Sequence, residues 1–264
     1  MPELAEVDFF RRQWDPGLGQ RILRIALHAE KRVLRSVDPE AFVRSLSGSV
    51  LLSSSSHGKQ MLFRSSAGAW LGIHLGMTGE LRLERARFVP GPHDHLVLSQ
   101  REQSLVFRDP RQFGRIRFHQ GATAPEWWSD LPPALASAEF THARVREFLR
   151  RHARAPIKAV LLSQECFPGV GNWMADETLW RAQVHPRLRA GRVSAAASLA
   201  LYRALRYVCA GAMRAMAVEY RDPPRSWLFR HRWKAGGRCP KHRVTLERAE
   251  VGGRTTVWCP ECQL

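Results

Sequence analysis

The hydrophobic pattern of this 264-residue chain changes period partway along, which limits it to two differently built halves. Up to about residue 121, apolar and polar residues alternate in short runs: 22–27, 60–63, 69–75, 80–83, 95–98, 104–107 and 114–118. Period-two runs separated by Gly, Ser and Asp read as strands, and many at this spacing predict an antiparallel β-sandwich. One short helix is expected before them, around 5–13, where Leu4, Val7 and Phe10 make an apolar stripe. A stretch holding Pro125, Pro132 and Pro133 follows, and beyond it the period becomes helical. Thr141 caps a run through Arg150, a short helix is expected over 157–164 and another over 173–182, and Ser194 opens a long helix towards Ala217. The reading is therefore α+β. Residues 1–121 form an N-terminal sandwich, 122–140 a linker, 141–234 a helical domain and 235–264 a separate terminal element.

The net charge of +17 points to a polyanionic partner. The charge is uneven: residues 1–139 hold 18 Lys and Arg against 15 Asp and Glu, while residues 140–264 hold 23 against 9. No segment pairs a Lys-rich face with a strongly apolar one, and no apolar run reaches the roughly 18 residues of a membrane span, so nucleic acid is expected rather than a membrane. No signal peptide is evident, and a cytoplasmic protein is expected.

Three of the five cysteines lie at the C-terminus, in the pattern Cys239-x2-His242, 16 residues, Cys259-x2-Cys262. Paired donors at x2 spacing turn back on one ion, and four of them complete a closed tetrahedral zinc site. One structural zinc holding a β-hairpin is expected. Cys166 and Cys209 stand alone in apolar helical contexts and read as buried thiols. Arg254, at the hairpin tip beside Gly252 and Gly253, suits a phosphate.

Other segments carry possible chemistry. Pro168-Gly169-Val170-Gly171-Asn172 joins two helices through a glycine turn, a geometry that exposes N–H groups to a phosphate, and Asn172 adds a donor. The loops around Met77 and from Asp109 to Gly114 lie between strands. On residue type alone Met77 and Phe113 read as core, although loops presenting Met, Arg and Phe also suit insertion into a base stack. Lys59 precedes a strand and can meet a phosphate or a reacting centre. His93-Asp94-His95 reads as hydrogen bonding rather than metal binding. At the other end, removal of Met1 would leave Pro2 as a free secondary amine beside the carboxyl of Glu3. Such an amine titrates near pH ~7.7–8 and attacks aldehyde carbons.

In their order along the chain these segments resemble the formamidopyrimidine-DNA glycosylase/endonuclease VIII family. The likeness runs from Pro2 to Cys262 through Gly58-Lys59, Ile73-His74-Leu75-Gly76-Met77-Thr78-Gly79, His93-Asp94-His95, Asp109 to Gly114, Ile157-Lys158, Gly169-Val170-Gly171-Asn172 and His185-Pro186. The resemblance implies a β-sandwich, a helix–two-turn–helix domain and a zinc-finger hairpin. It implies a base-excision repair glycosylase with AP lyase activity, monomeric, acting on double-stranded DNA with a damaged base or abasic site, and recruited to the nucleoid on demand. Pro2 would be the nucleophile that forms a Schiff base, and Glu3 the acid that opens the sugar. Lys59 and Arg254 would assist β- and δ-elimination at the lesion phosphates, which Asn172 also binds. Met77, Arg111 and Phe113 would fill the gap left by the everted nucleotide, His93 would contact DNA, and Lys158 and Glu6 would lie near the site. The alternative is a non-catalytic damaged-DNA-binding protein on the same scaffold.

The chain departs from the family pattern at Ala5, where proline is usual, at Asp8 for glutamate, at Gln112 for a basic residue and at His242 for cysteine. Residues 217–237 also lack the glycine-rich lid of the 8-oxoguanine enzymes.

Overall fold

The structure, a computed structural model, describes residues 1–264. The chain divides into two compact units, one of residues 1–2 and 6–131, the other of residues 3–5 and 132–264.

The first unit contains most of α1 (Leu4–Arg12), then β1 (Arg24–Leu27), α2 (Pro39–Leu46), β2 (Leu51–His57), β3 (Gln60–Ser65), β4 (Ala69–His74), β5 (Glu80–Arg85), β6 (Asp94–Ser99), β7 (Gln103–Arg108), β8 (Arg115–Gln120) and α3 (Glu126–Ser129). The strands make two antiparallel sheets ordered β1-β6-β7-β5 and β2-β3-β4-β8. Their inward residues share one core, which includes Phe63, Leu71 and Ile116 from one sheet and Leu96, Leu105 and Phe107 from the other. Each such side chain contributes about 1.5–3 kcal/mol by leaving water.

Strand β2 is absent from the period-two reading because its sequence, Leu-Leu-Ser-Ser-Ser-Ser-His, looks like a turn. It forms because its serines have partners: Ser54 Oγ donates to Asp15 at 2.6 Å and Ser56 Oγ to Asp8 at 2.6 Å. Helix α2 was also unforeseen, although Asp38 caps it by accepting from Glu40 N and Ala41 N. The proline-bearing stretch is not wholly irregular: α3 sets Trp127 over the sheet at Gly72, where a Cβ would stand 2.3 Å from the indole.

The second unit contains α4 (His142–Arg151), α5 (Ile157–Leu161), α6 (Asn172–Ala182), α7 (Ala195–Met216) and a hairpin of β9 (Glu247–Val251) and β10 (Arg254–Trp258). Thr141 and Ser194 cap α4 and α7 by accepting from Arg144 N and Ala197 N. The helices close over a core that includes Phe148, Phe167, Trp173, Leu179, Leu205 and Val208. Residues 217–237 are drawn onto it. The ring of Trp227 lies where a Cβ on Gly211 of α7 would come within 2.5 Å, and Trp227, Leu228 and Phe229 are buried. A smaller cluster of Trp180, Leu228, Leu246, Val257 and three cysteines sits under the hairpin.

Candidate active site and nucleic-acid interface

In the second unit the site is built around the glycine turn before α6. Gln164 pins the turn from inside, donating to Val170 O and accepting from Gly169 N, each at 2.9 Å. Gly169 adopts a left-handed φ of +86°. The carboxylate of Glu3 sits at the start of α6 and accepts from Gly171 N at 3.0 Å, Trp173 N at 2.9 Å and Met174 N at 3.1 Å. These are the N–H groups a helix leaves without an internal partner, and the helix dipole favours an anion there. Gly171 is required by close approach: a Cβ would lie 2.3 Å from Glu3 Cδ. Leu4 N donates to Gly169 O at 3.1 Å, so residues 3–5 are fixed to this turn.

Buried Asp176 on α6 organises the same region. Its carboxylate accepts from Lys158 Nζ at 2.5 Å, from Arg232 at 2.6 and 3.0 Å and from Val257 N at 3.2 Å. Lys158 also donates to Asn172 O at 2.7 Å and is fully buried. Burial lowers its pKa, against the raising influence of Asp176. The hairpin is thereby tied to α6 twice, through Val257 and through Asn172 Nδ2, which donates to Thr255 O at 2.8 Å. Asn172 Oδ1 is buried without a partner. Gly252 rests against Ala159 of α5, where a Cβ would meet the methyl at 2.6 Å, and exposed Arg254 stands at the turn it shares.

The four expected metal donors converge. Cys239 Sγ, His242, Cys259 Sγ and Cys262 Sγ offer ligand atoms all within 4.8 Å of one another. His242 Nδ1 is 3.0 Å from Cys262 Sγ and 3.7 Å from Cys259 Sγ. Three thiolates and one imidazole at such separations fit tetrahedral zinc, with ligand bonds of about 2.0–2.3 Å. The set suits one structural zinc and, being four protein donors, leaves no position for water.

In the first unit the two loops between strands are locked together. Asp109, fully buried, accepts from Thr78 Oγ1 at 2.8 Å, Gly114 N at 2.7 Å and Arg111 N at 3.3 Å. His95 donates from Nε2 to Asp109 O at 2.9 Å, and Asp109 N donates to the carbonyl of half-buried His93 at 3.0 Å. Gly76 abuts Phe113, where a Cβ would come within 2.3 Å of the backbone. The loops expose their side chains instead of burying them: Met77 is 39% and Phe113 44% exposed, which corrects the core assignment that residue type favours. Arg111 lies over the Phe113 ring at 4.9 Å. Gln112 sits at a left-handed φ of 54° and accepts from Arg32 N.

Lys59 occupies the turn between β2 and β3 and His74 ends β4. His74 Nδ1 accepts from Gly76 N at 3.0 Å. Burial and the cations Lys59, Arg117 and Arg35 push its pKa down to about 4. A ring so held is neutral at pH 7 and carries its proton on Nε2.

Asp176, Arg232 and Gln164 escaped sequence reasoning. Asp176 looks like a solvated position in Met-Ala-Asp-Glu-Thr-Leu-Trp, and only the flanking Trp173 and Trp180 hint that this whole helix is interior.

A sandwich, a glycine turn capped by an N-terminal carboxylate and a metal hairpin, in one chain, define a class of DNA-processing fold, and comparison with known proteins gives the family. The formamidopyrimidine-DNA glycosylase N-terminal domain matches residues 1–116, and the formamidopyrimidine-DNA glycosylase H2TH domain matches residues 131–222. The chain is 35% identical to the formamidopyrimidine-DNA glycosylase of Thermus thermophilus, over all of this chain and 98% of that protein. It is 34% identical to the enzyme of Xanthomonas euvesicatoria over the full length of both. Among solved structures, Lactococcus lactis Fpg bound to DNA containing an oxidised pyrimidine superposes with a TM-score of 0.88 at 26% identity, covering 99% of each chain. Thermus thermophilus MutM gives 0.81 at 33% identity, covering 99% of this chain and 98% of that one. The chain belongs to the formamidopyrimidine-DNA glycosylase family.

Proposed function

We propose that this base-excision repair glycosylase works through the secondary amine of Pro2, freed by removal of Met1, and that it then cleaves the abasic site as a lyase. The substrate is double-stranded DNA with a damaged base, of the kind bound in the Lactococcus complexes. A base stacked in a duplex is out of reach, so the nucleotide must be everted at a cost of a few kcal/mol. The unprotonated nitrogen attacks C1′, the bond from C1′ to the base breaks, and the base leaves with the electron pair and takes up a proton. The Glu3 carboxylate takes the proton that the Pro2 nitrogen sheds and delivers it to O4′ as the sugar ring opens, leaving an iminium between Pro2 and C1′. Loss of a C2′ proton then expels the 3′ phosphate, a second elimination expels the 5′ phosphate, and water releases Pro2.

The other roles follow the same chemistry. Lys59 and Arg254 stabilise the departing phosphates as cations, and Asn172 and His93 hold the backbone. Met77, Arg111 and Phe113 occupy the vacated stack. Zinc, when bound by Cys239, His242, Cys259 and Cys262, fixes the hairpin that presents Arg254. The basic 140–264 half supplies sequence-independent affinity, and the protein acts as a monomer on nucleoid DNA in the cytoplasm.

The observation that carries this reading is the clamp on Glu3. Three amides hold the carboxylate of the residue next to Pro2, a precision that a passive binding module has no use for. The test is borohydride trapping on a duplex with one abasic site. Wild type should become covalently attached to DNA and Pro2→Ala should not. Equal yields, or none from wild type, would return the chain to a damaged-DNA-binding role.

A further inference from the structure

The sheet β2-β3-β4-β8 carries a recess on the face turned away from the sandwich core. His74 pairs with Arg115 across β4 and β8, and Gly72 pairs with Arg117 further along. The positions between them, Ile73 and Ile116, belong to the core, so this row faces outward. Together with Arg35 and Phe113 it lines a recess of about 250 Å³, in which three of the lining residues are arginines and none is acidic. The arginines of β8 are held in place. Arg117 lies over the ring of Trp127 at 5.1 Å, the indole that covers Gly72. Arg115 donates to Ser36 Oγ at 2.9 Å, while its Nε is buried without a partner. His74, neutral with its proton on Nε2, adds an uncharged donor. Burial, Arg115 and Arg35 lower the pKa of Arg117, the mark of cations gathered without a counter-charge.

We infer that this recess seats a terminal phosphate monoester of the cleaved strand, the 5′-phosphate end that the first elimination releases. A backbone diester carries one negative charge and has chain on both sides, so it lies along an open groove. A terminal monoester carries about −1.5 to −2 at pH 7, offers three acceptor oxygens and can enter a recess end-on. Guanidinium forks match those oxygens, and three of them without an acid call for more than one negative charge. The place fits the reaction. Phe113, proposed to fill the vacated stack, forms part of the wall, and Lys59, expected to assist the first elimination, is near enough to act on the charge of His74. Arg117 thereby becomes a product-binding residue, and the protein keeps hold of the nick it makes. The inference rests on the proposed lyase reaction, which creates this end.

The test measures equilibrium binding of zinc-loaded protein to ready-made gapped duplexes that carry a 5′-phosphate, a 3′-phosphate or only hydroxyls at the gap, so no turnover is needed. Wild type should bind the 5′-phosphate duplex about tenfold more tightly than the hydroxyl one, and Arg117→Gln should reduce that preference to about twofold while binding the hydroxyl duplex as wild type does. Arg35→Gln, a change at an exposed position, should reduce the preference as well and separates lost phosphate binding from disturbed packing on Trp127. No preference in wild type, a preference for the 3′-phosphate, or an equal loss on phosphate and hydroxyl duplexes in both variants overturns the assignment. Inorganic phosphate is the free-anion arm: calorimetric binding to wild type and not to Arg117→Gln, with no preference among the duplexes, would make the recess a free-anion site and overturn the assignment too. Failure of wild type to cleave an abasic duplex is a separate result: it removes the lyase reading and does not alter the binding comparison.

Discussion

Asp109 in the first unit and Asp176 in the second are both buried with almost no exposure, and the two are satisfied in opposite ways. Asp109 in the sandwich accepts only from neutral groups: a threonine hydroxyl and two backbone amides, all within its own pair of loops. Asp176 in the helical unit takes two cations, Lys158 and Arg232, and the amide of Val257, from three separate segments. The first arrangement shapes a local surface, and Met77, Arg111 and Phe113 point outward as a result. The second fastens α5, the 217–237 stretch and the metal hairpin to one helix. A charge-assisted hub suits the half that must grip a polyanion, because it sequesters cations that would otherwise repel their neighbours.

The comparison breaks most directly at the hub. Asp176→Ala leaves two buried cations facing each other and should destabilise the protein by about 3–5 kcal/mol, read by chemical denaturation. A loss below about 1 kcal/mol would mean that Lys158 and Arg232 find other partners and that the hub is incidental.

The pH dependence of stability sharpens the comparison, because the units should respond with opposite signs. Burial pushes the pKa of Glu177, beside Asp176, up to about 7, although Arg181 and the amides of Phe229 and Leu228 pull it down. Above its unfolded value of 4.5 the folded form holds the proton more tightly, so this group's contribution falls as pH rises from about 4.5 to 7. The total is on the order of 3 kcal/mol. In the sandwich, burial works to raise the pKa of Asp8, but Ser56, Arg12 and Arg11 hold it below the usual carboxylate value. Its contribution is present above that value and is lost as pH falls through the lowered one. Glu177→Gln keeps an acceptor for Phe229 N and should flatten the slope of unfolding free energy between pH 4.5 and 7. A slope identical to wild type would show that Glu177 is ionised throughout.

The sequence exposes one kind of order more readily than the other. Strands and long helices were legible where a single face is buried, as in β5 and α7, because their periods follow from local geometry. The zinc donors were legible because their spacing is itself the constraint. Strand β2 was hidden because its serines depend on Asp8 and Asp15, partners with no signature in the strand. Asp176 and Arg232 were hidden for the same reason: an ion pair across 56 residues leaves no local pattern. Met77 and Phe113 were misread from residue type, since exposure there is imposed by Asp109 and by the contact of Gly76 with the facing loop. The clamp on Glu3 joins residues about 170 positions apart, and only the glycines of the turn hinted that something must approach closely.

The smallest expected effect tests whether Asp109 is as local as its partners suggest. Asp109→Ala strands the hydroxyl of Thr78 and the amide of Gly114, a loss of about 1–3 kcal/mol if they stay buried and less where the loops open to water. Opening would free Arg111 and Phe113 from their shared pose while leaving every cation of the protein in place. Affinity for a lesion duplex should therefore fall, yet the slope of log affinity against log salt should not, because that slope counts phosphates neutralised and none has been given up. Titrations at several salt concentrations separate the two quantities. A slope reduced by about one would mean that Asp109 orients a phosphate-binding cation, and the sandwich loop would then share with the helical hub the task of placing charge.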